Sequence, residues 1–460
     1  MENIVIKQKL QESFNRYLEE LKELIRIPSI SFPGFDKAEV SRSAHAVENL
    51  LKKIGATNLQ HLIPPSSYPC VYGEIISDKT KPTILLYAHH DVQPQMREAL
   101  WHSPPFEPEI RGERLYGRGS ADDKAGILIH VAAVELILST MGKESPNFKF
   151  LIEGEEESGS AGFGYLLEKH KDLLSCDAVI VADLGNFSKG EPSLTTSLRG
   201  MSAIEIEIFS TKAPLHSGSW SGPLPDPAQE LCRLIASLSD NNGNILVPHF
   251  YDDIIAPTPE ELDSYQKLGM TEQKFREEAG VLESTKLLVP ESKICETLWR
   301  KPSLVVTAME AGNRKQAGNV LQESAYARLG IRLAPGMNAK KATEQIIAFL
   351  QANIRHGLTL KIRTEDGAEP FTTDTSHPYF QYMAKSMEIA FNQKASFVGC
   401  GASIPGAEYF RKTFGNIPIL LMGVEDPESN AHGENESLYL PDFEKTILAE
   451  TLFFKELANV

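Results

Sequence analysis

The chain has 460 residues, of which 42% are hydrophobic and 23% are charged, a composition typical of globular proteins. A chain of this length exceeds one ordinary hydrophobic core, so we expect two domains. The formal net charge of −16 makes nucleic acid and acidic membrane surfaces unfavourable partners, because their phosphate groups repel an acidic protein.

The start of the chain and the cysteines indicate a cytoplasmic protein. Residues 1–21 predict an amphipathic helix without the basic start and apolar run of a signal peptide. The longest apolar stretch, residues 125–138, contains His130 and Glu135, which indicates a buried helix and not a membrane span. Five scattered cysteines argue against a disulfide framework and favour a reducing compartment; they are Cys70, Cys176, Cys232, Cys295 and Cys400.

The first 190 or so residues predict an α/β fold. Three short, mainly apolar runs each end abruptly in His, Glu or Asp, namely PTILLYAHHD, FKFLIEGEEE and DAVIVADLG. Buried parallel strands have this pattern, and ligands of such sheets gather at the carboxyl ends of the strands. Between the first two runs, residues 126–140 have the length and apolar face of a helix. We therefore expect a mixed, largely parallel sheet covered by helices.

The pattern changes at Leu198, where MSAIEIEIF alternates apolar and acidic residues as a strand buried on one face does. Helices are predicted over residues 228–238 and 339–354, the second with Asn338 as its N-cap. A long polar segment, residues 240–301, follows the first of them. The remaining strands of this part are predicted in SLVVTAMEAG, ESAYARLGIRLAP and LTLKIRTED. This order suggests a smaller α+β sandwich inserted into the first domain.

After Pro370 the first pattern resumes, with a helix predicted over residues 379–392 and a strand in IPILLMGVED. We therefore expect the first domain to comprise residues 1–197 and 371–460. The inserted domain is expected to comprise residues 198–370.

Two clusters of polar residues have the chemistry of metal ligands. His89 and Asp91 follow the first strand and project to the same side, so the aspartate can orient the imidazole for a metal. Asp122 and Asp123 follow a glycine-rich turn at the start of the buried helix. On their own, paired aspartates there are equally well explained as helix N-caps.

The remaining candidates come later in the chain. Glu156 and Glu157 lie in a run of three adjacent carboxylates, which repel one another unless cations or solvent compensate; a solvated acidic loop is the alternative. Asp183 ends the third strand, and His432 lies in a polar loop, where a histidine alone is uninformative. Taken together with the first two clusters, this set suits two metal ions sharing a carboxylate.

In their order along the chain, these motifs resemble the M20 metallopeptidases, and most of all their dipeptidase branch, which includes carnosinase-type and non-specific dipeptidases. The resemblance spans nearly the whole chain. It rests on HxD, GRGxxDxK, EGxEExGS, a strand-terminal Asp, HSG, IRxxP and a late His. The YAHHDVQP stretch and the long segment 240–301 favour the dipeptidase branch.

The resemblance implies two divalent metal ions, with zinc expected and manganese or cobalt as alternatives. His89 and Asp183 would complete one metal site, Glu157 and His432 the other, and Asp122 would bridge them. It further implies that Asp91 orients His89, that Glu156 is the general base, and that the peptide bond between Asp122 and Asp123 is cis.

The inserted domain would be a lid and dimerisation domain, so the resemblance implies a homodimer. His216 would reach the partner subunit's active site and stabilise the tetrahedral intermediate. Arg332 would bind the substrate's terminal carboxylate, as a guanidinium does well. Asn319 and Ser403 match weaker substrate-side positions, where a turn asparagine and a loop serine are equally good explanations. Cys400 and Ala402 depart from the glycine-rich loop expected before Pro405.

The expected reaction is hydrolysis of the amide bond of a dipeptide or small peptide by a metal-bridging water that Glu156 activates. An N-acyl amino acid deacylase or desuccinylase would use the same metal centre and is the alternative enzyme. A non-catalytic binding protein should lack a ligand or the base, and none is missing. A Ser/His/Asp hydrolase is disfavoured because the sequence has no GxSxG motif.

Overall fold

The computed structural model describes residues 2–365 and 367–458. Its helices are α1 (Glu2–Ile25), α2 (Lys37–Lys53), α3 (Lys124–Met141), α4 (Phe163–Lys169), α5 (Lys171–Leu174), α6 (Ser217–Trp220), α7 (Pro227–Ala236), α8 (Pro259–Lys267), α9 (Glu272–Glu278), α10 (Ile294–Arg300), α11 (Ala339–Asn353), α12 (Pro378–Phe391), α13 (Pro405–Phe414) and α14 (Leu440–Ala458).

Its strands are β1 (Thr57–Leu62), β2 (Cys70–Ile75), β3 (Thr83–His89), β4 (Glu109–Arg111), β5 (Arg114–Tyr116), β6 (Asn147–Glu153), β7 (Ala178–Gly185), β8 (Ser193–Leu198), β9 (Gly200–Phe209), β10 (Leu215–His216), β11 (Ser303–Glu310), β12 (Val320–Leu321), β13 (Ser324–Leu333), β14 (Thr359–Thr364), β15 (Phe371–Thr372), β16 (Ser396–Cys400), β17 (Ile419–Glu425) and β18 (Ser437–Tyr439).

The chain forms two compact units. The first contains the residues up to Thr196, Thr373–Val398 and the residues from Pro405 onward. Its large sheet has the strand order β1-β2-β6-β3-β7-β17-β8, with β16 beside β8. The central strands β6, β3, β7 and β17 are parallel to one another, and the pairs outside them are antiparallel. This confirms the predicted α/β class with a mixed sheet.

Helix α3 is the core of the first unit. It packs between the sheet and the helices α1 and α14, and nearly all of its side chains are buried, from Lys124 to Ile137. By length and composition alone, Lys124–Glu144 is apolar enough to cross a membrane, and it is longer than the stretch that the sequence singled out. Because most of it lies inside the protein, its apolar character is explained by burial in the core, as predicted.

The second unit contains Ser197–Thr372 and Gly399–Ile404. Its antiparallel sheet has the order β11-β13-β9-β14, and helices α7 and α11 cover one face. The apolar residues of β9 alternate as predicted, with Ile204, Ile206 and Ile208 fully buried on the helix side. The predicted cap of α11 is also present, since the Asn338 side chain accepts a hydrogen bond from Lys341 N at 2.9 Å.

The polar segment 240–301 is more ordered than the sequence pattern suggests. It contains the short helices α8, α9 and α10, and α8 begins with a reciprocal capping box between Thr258 and Glu261. Few of the residues in α8 and α9 are buried, so their apolar periodicity is weak, and the capping residues Thr258 and Thr271 are the local sequence features that mark them. Helix α10 buries more of its residues, but it is only 7 residues long and has no side-chain cap.

Candidate metal centre

The candidate ligands of the first unit converge at one edge of the large sheet. His89 ends β3, Glu157 follows β6, and Asp183 lies near the end of β7, all parallel strands whose carboxyl ends share that edge. Asp122 precedes α3, and His432 lies in the loop before β18. The sequence prediction that these five side chains meet therefore agrees with their positions.

Asp122 lies at the middle of this group. One of its carboxylate oxygens is 3.0 Å from His89 Nε2, and the other is 3.0 Å from His432 Nε2. Asp183 Oδ1 lies 3.4 Å from His89 Nε2, and Glu157 Oε2 lies 3.3 Å from His432 Nε2. The five groups thus form two halves, each with one imidazole and one further carboxylate, that share the Asp122 carboxylate.

The electrostatics of the group reflect these short contacts. Burial alone would raise the pKa of Asp122, but the hydrogen bonds from His432 and His89 hold it well below its usual range. Hydrogen bonds to Asp122 and Glu157 raise the pKa of His432 to about 11. Burial would lower the pKa of His89, yet Asp183 and the hydrogen bond to Asp122 raise it well above its usual value. Both imidazoles therefore stand in strongly negative surroundings.

The three adjacent glutamates after β6 have different partners. Glu155 accepts a hydrogen bond from the Ser67 hydroxyl. Glu157 accepts hydrogen bonds from Gln93, at 3.0 Å from its backbone nitrogen and 2.7 Å from its side chain. Within the described chain, the Glu156 carboxylate has no hydrogen-bond or ion-pair partner. Burial, followed by repulsion from Asp183, raises its pKa well above the usual value, so it is the member of the run best suited to accept and return a proton.

Asp91 connects His89 to this loop. His89 Nδ1 lies 3.0 Å from the backbone oxygen of Asp91 and 3.5 Å from its carboxylate. The same carboxylate accepts hydrogen bonds from the backbone nitrogens of Glu156 and Glu157, at 3.2 and 3.1 Å, and from the Ser31 hydroxyl at 2.7 Å. In addition to facing His89, Asp91 therefore fixes the backbone that presents both glutamates.

Asp123 does not act as a helix cap. It occupies the N-cap position of α3, but its side chain makes no capping hydrogen bond and instead accepts one from His89 N at 3.1 Å. His89, Asp123 and Asp183 have ligand atoms close enough together to hold a cation, as have His89, Asp122 and Glu157. The Asp122–Asp123 peptide bond is cis, as the family resemblance implies. The sequence left open whether Asp123 is a helix cap, and the structure places its side chain beside the candidate metal centre instead.

Sequence reasoning missed the residue that holds the glycine-rich turn. Glu436 is fully buried, and its oxygens accept hydrogen bonds from the backbone nitrogens of Gly119, Ala121 and Asp122 at 2.9–3.1 Å. Arg118 Nη1 binds the same carboxylate at 2.7 Å. The acid-rich stretch around His432 was visible in the sequence, but nothing local identifies its partner 315 residues earlier in the chain.

Glu425 was missed as well. It ends β17, which pairs in parallel with β7, so its position follows the same strand-end pattern as His89 and Asp183. Burial and the negative charges of Asp122 and Asp183 raise its pKa well above its usual value. The pattern of an apolar strand that ends in an acidic residue was therefore present in IPILLMGVED.

The donor set of this centre fits divalent cations. Burial raises the pKa of Glu157 to about 7 and also raises that of Asp183, so the carboxylates crowd together at a cost that bound cations would offset. Imidazole nitrogens mixed with carboxylate oxygens are the ligands that zinc and similar ions take in proteins. One imidazole lies on either side of the shared Asp122 carboxylate.

In the second unit, the structure brings His216 and Asn319 together. Strands β10 and β12 form a short antiparallel pair in which His216 lies opposite Val320, and Asn319 O accepts a hydrogen bond from Ser217 N at 2.9 Å. His216 is exposed, with Ser219 Oγ 3.5 Å from its Nδ1. Its imidazole is therefore available to a molecule outside this chain.

Arg332 and Ser403 also meet in the second unit. Arg332 Nη1 donates to Ser403 Oγ at 3.4 Å, and that hydroxyl donates to the backbone oxygen of Arg199 at 2.5 Å. The Arg199 guanidinium contacts Ser303 Oγ at 3.3 Å, and Ser303 is the cross-strand neighbour of Arg332. Burial and the positive charge of Arg332 lower the pKa of Arg199 to about 10.

Neither Arg199 nor Arg332 has an acidic partner among the described residues. Two guanidinium groups without a carboxylate form an attractive site for an anion. The sequence singled out Arg332 alone and missed Arg199.

The fold and the acid-rich cluster define a hydrolase of the peptidase class, and the chain belongs to peptidase family M20/M25/M40, whose sequence profile matches residues 85–456. This confirms the family that the motifs indicated.

Relatives within this family act on dipeptides and other peptides. The chain is 31% identical over 375 residues to the cysteinylglycine-S-conjugate dipeptidase of Corynebacterium striatum, covering 81% of this chain and 80% of that protein. The structure resembles human carnosine dipeptidase 1, with a TM-score of 0.83, 26% identity and coverage of 100% and 99% of the two chains. It also resembles an M20 family metallo-carboxypeptidase from Sulfolobus solfataricus, with a TM-score of 0.85, 26% identity and coverage of 96% and 99%.

Proposed function

We propose that this protein is a dinuclear metal-dependent dipeptidase. The observation that supports this most strongly is the position of the Asp122 carboxylate, 3.0 Å from both His89 and His432, with Asp183 and Glu157 on either side. Family membership and the dipeptidases among the relatives agree with it.

We assign His89 and Asp183 to one ion, Glu157 and His432 to the other, and Asp122 to both. Zinc is the proposed metal, because nitrogen and carboxylate ligands suit it, and manganese and cobalt accept the same set. When bound, the ions would polarise the peptide carbonyl and lower the pKa of water toward about 7. Asp91 orients His89 and holds the backbone of Glu156 and Glu157.

Glu156 is the proposed general base. It accepts a proton from the water that attacks the peptide carbonyl and later returns that proton to the leaving amine. Three features of the structure support this role: the carboxylate has no partner in the described chain, burial raises its pKa, and Asp91 fixes its backbone. Glu155 and Glu157 are already hydrogen-bonded to Ser67 and Gln93.

The substrate side of the proposal lies in the second unit. Arg332 binds the terminal carboxylate of the dipeptide, and Ser403, hydrogen-bonded to Arg332, positions that guanidinium. His216 stabilises the developing oxyanion, and Asn319 lies beside it, directly before the paired strand β12. Because carboxylate capture favours a free C-terminus, small peptides with an unmodified end are the proposed substrates.

We further propose that the protein is a cytoplasmic homodimer that uses the inserted unit as a lid and dimerisation domain. Within the described residues, β11 has a strand partner on one side only, and its apolar side chains are exposed, including Val305, Val306 and Met309. An exposed apolar edge strand is a natural surface for a second copy of the chain. The five cysteines, all within the described residues, form no disulfide bond, which favours the cytoplasm, and the net charge of −16 disfavours nucleic acid and membrane partners.

One assay tests the proposal. Metal-stripped protein is reloaded with zinc, manganese or cobalt and incubated with a panel of dipeptides and N-acyl amino acids. We expect metal-dependent hydrolysis of the dipeptides and little turnover of the N-acyl amino acids. Preference for the N-acyl amino acids would replace the dipeptidase with a deacylase, and activity that is unaffected by metal removal would contradict the metal centre itself.

A further inference from the structure

A second group of metal-binding residue types lies in the first unit, away from the residues that surround Asp122. His45 and Glu48 are on helix α2, three residues apart and therefore on the same face of the helix. His61 is on β1, at the edge of the large sheet. Each of the three offers a ligand atom, and these atoms all lie within 4.8 Å of one another.

Packing between α2 and the sheet creates this juxtaposition. A side chain added at Gly73 of β2 would contact Leu59 of β1 and Leu51 of α2, so the helix lies directly on this face of the two strands. Side chains alternate along a strand, and His61 therefore shares the face of Leu59 that the helix covers. The helix and the strand meet through apolar contacts, and the three polar groups stand at the margin of that contact.

The imidazole of His45 is hydrogen-bonded in the way that metal-binding histidines are. His45 Nδ1 lies 2.7 Å from the backbone oxygen of Ser41. A carbonyl oxygen can only accept, so Nδ1 carries the hydrogen, and the neutral ring keeps its lone pair on Nε2. Metal-binding histidines are usually fixed in this way by a hydrogen bond from the other ring nitrogen. The two rings meet edge to face, with centroids 4.9 Å apart.

His61 Nε2 is shielded from solvent and makes no hydrogen bond that satisfies its geometry, although Glu48 Oε2 lies 3.1 Å away. A nitrogen and a carboxylate oxygen at this separation are close to the spacing of about 3.4 Å between two ligands of a tetrahedral ion. A cation between them would satisfy both atoms.

We propose that His45, Glu48 and His61 form a separate surface site for one divalent transition-metal ion of the zinc type, which fastens α2 to the edge strand β1. Two imidazoles and one carboxylate leave a fourth position for water. An ion at this site would also help to fix the loop after β3, because Ser43 of α2 donates a hydrogen bond to the backbone oxygen of His90 at 3.1 Å. The site is independent of the proposed hydrolase function.

The test counts zinc on the full-length protein after equilibrium dialysis against buffered free Zn²⁺. We expect His45→Ala and His61→Ala each to hold one ion fewer per chain than the wild type. Glu48→Gln, which keeps the shape of the side chain, should weaken the same ion without disturbing the fold. The matched control is His249→Ala, because His249 is an exposed histidine with an acidic neighbour, Asp252, at 2.9 Å but no second imidazole; this variant should keep the wild-type count.

Thermal unfolding gives a second readout. Added Zn²⁺ should raise the unfolding temperature of the wild type by more than that of His61→Ala or Glu48→Gln, because an ion bound only to the folded state stabilises it. Equal zinc counts for the wild type, His45→Ala and Glu48→Gln would overturn the proposal, whatever the fate of His61→Ala. Loss of an ion from His249→Ala as well would also overturn it, since that result would reveal nonspecific surface binding.

Discussion

The three adjacent glutamates that follow β6 have different surroundings because their side chains have different hydrogen-bond partners. Glu155 is hydrogen-bonded to Ser67 and Glu157 to Gln93 and His432, whereas the Glu156 carboxylate is left without a partner in the described chain. All three residues are glutamates, so residue type does not separate them. The different functions that we propose for them therefore depend on the surrounding side chains.

Replacement of Glu156 by glutamine tests the general base. Glutamine keeps the size of the side chain but cannot accept the proton, so we expect kcat to fall by about 10²–10⁴ while the metal content stays at the wild-type level. Steady-state kinetics and metal counting on the same preparation measure both quantities. Glu155→Gln is the matched control and should stay close to wild type. Near-normal turnover in Glu156→Gln would remove this residue from the role.

Replacement of Asp122 by alanine tests the shared carboxylate. Because Asp122 contacts both His89 and His432 at 3.0 Å, its loss should lower metal occupancy in both halves of the centre. Asp183→Ala and His432→Ala should each weaken one half more than the other. Metal titration of the three variants separates these outcomes, and two tightly held ions in Asp122→Ala would exclude a shared ligand.

Arg332→Lys tests the carboxylate site. Lysine keeps the positive charge but loses the planar pair of donors, so we expect kcat/KM for free dipeptides to fall clearly. Arg328→Lys on the same strand is the control, since Arg328 is paired with Glu365 at 2.7 Å and is not assigned to the site. C-terminally amidated dipeptides should be poor substrates of the wild type. Equal wild-type rates for free and amidated dipeptides would contradict this assignment.

At the scale of elements, the first turn of α3 couples the buried helix to the centre. A side-chain carbon added at Gly126 would lie 2.2 Å from Asp123 Oδ1, so the helix leaves room for this carboxylate only because residue 126 is glycine. Asp123 in turn accepts the hydrogen bond from His89 N. The helix start thus positions both an acid of the centre and the end of β3.

Gly126→Ala is therefore expected to act against the usual trend. Glycine-to-alanine changes in helices commonly stabilise by up to about 1 kcal/mol, but here the added methyl group must displace Asp123. We expect weaker metal retention and lower activity, measured by metal competition with a chelator and by kinetics. In the control Gly406→Ala, on α13, the new methyl group would meet Tyr87 Oη at 3.4 Å, an ordinary contact, so metal retention should not change. Unchanged metal retention in Gly126→Ala would show that Asp123 moves freely.

At the scale of the whole molecule, the two units divide the proposed chemistry. The proposed metal ligands and Glu156 belong to the first unit, while His216 and Arg332 belong to the second. His216 is exposed on the short strand β10. We propose that His216 serves the active site of the partner subunit, so that a symmetric pair exchanges this residue reciprocally.

Mixing two inactive variants tests this exchange. Heterodimers of His216→Ala with Glu156→Ala should contain one site with both defects and one with neither. We expect each mixed dimer to regain about half of the wild-type activity, measured after purification with two different affinity tags. If such heterodimers form and remain inactive, His216 acts within its own chain or has no catalytic role.

Local sequence was enough for the fold class and for the residue types of the centre. Strand and helix periods, such as the alternation of Ile204, Ile206 and Ile208, report burial directly, because burial selects apolar side chains at fixed spacing. The acids and histidines at the strand ends could also be identified, because parallel strands place their carboxyl ends at one edge of the sheet. Helices α8 and α9 bury few residues and α10 is only 7 residues long, so all three lack that signal and were missed.

Only the tertiary structure decided which partners those residues contact. Glu436 meets the amides of the glycine-rich turn from 315 residues away, and the proximity of His61 to the two polar residues of α2 depends on how that helix packs on the sheet. Residue type alone does not distinguish Glu156 from its two glutamate neighbours. Such contacts between distant parts of the chain depend on the packing of whole elements, so residue type and spacing alone do not determine them.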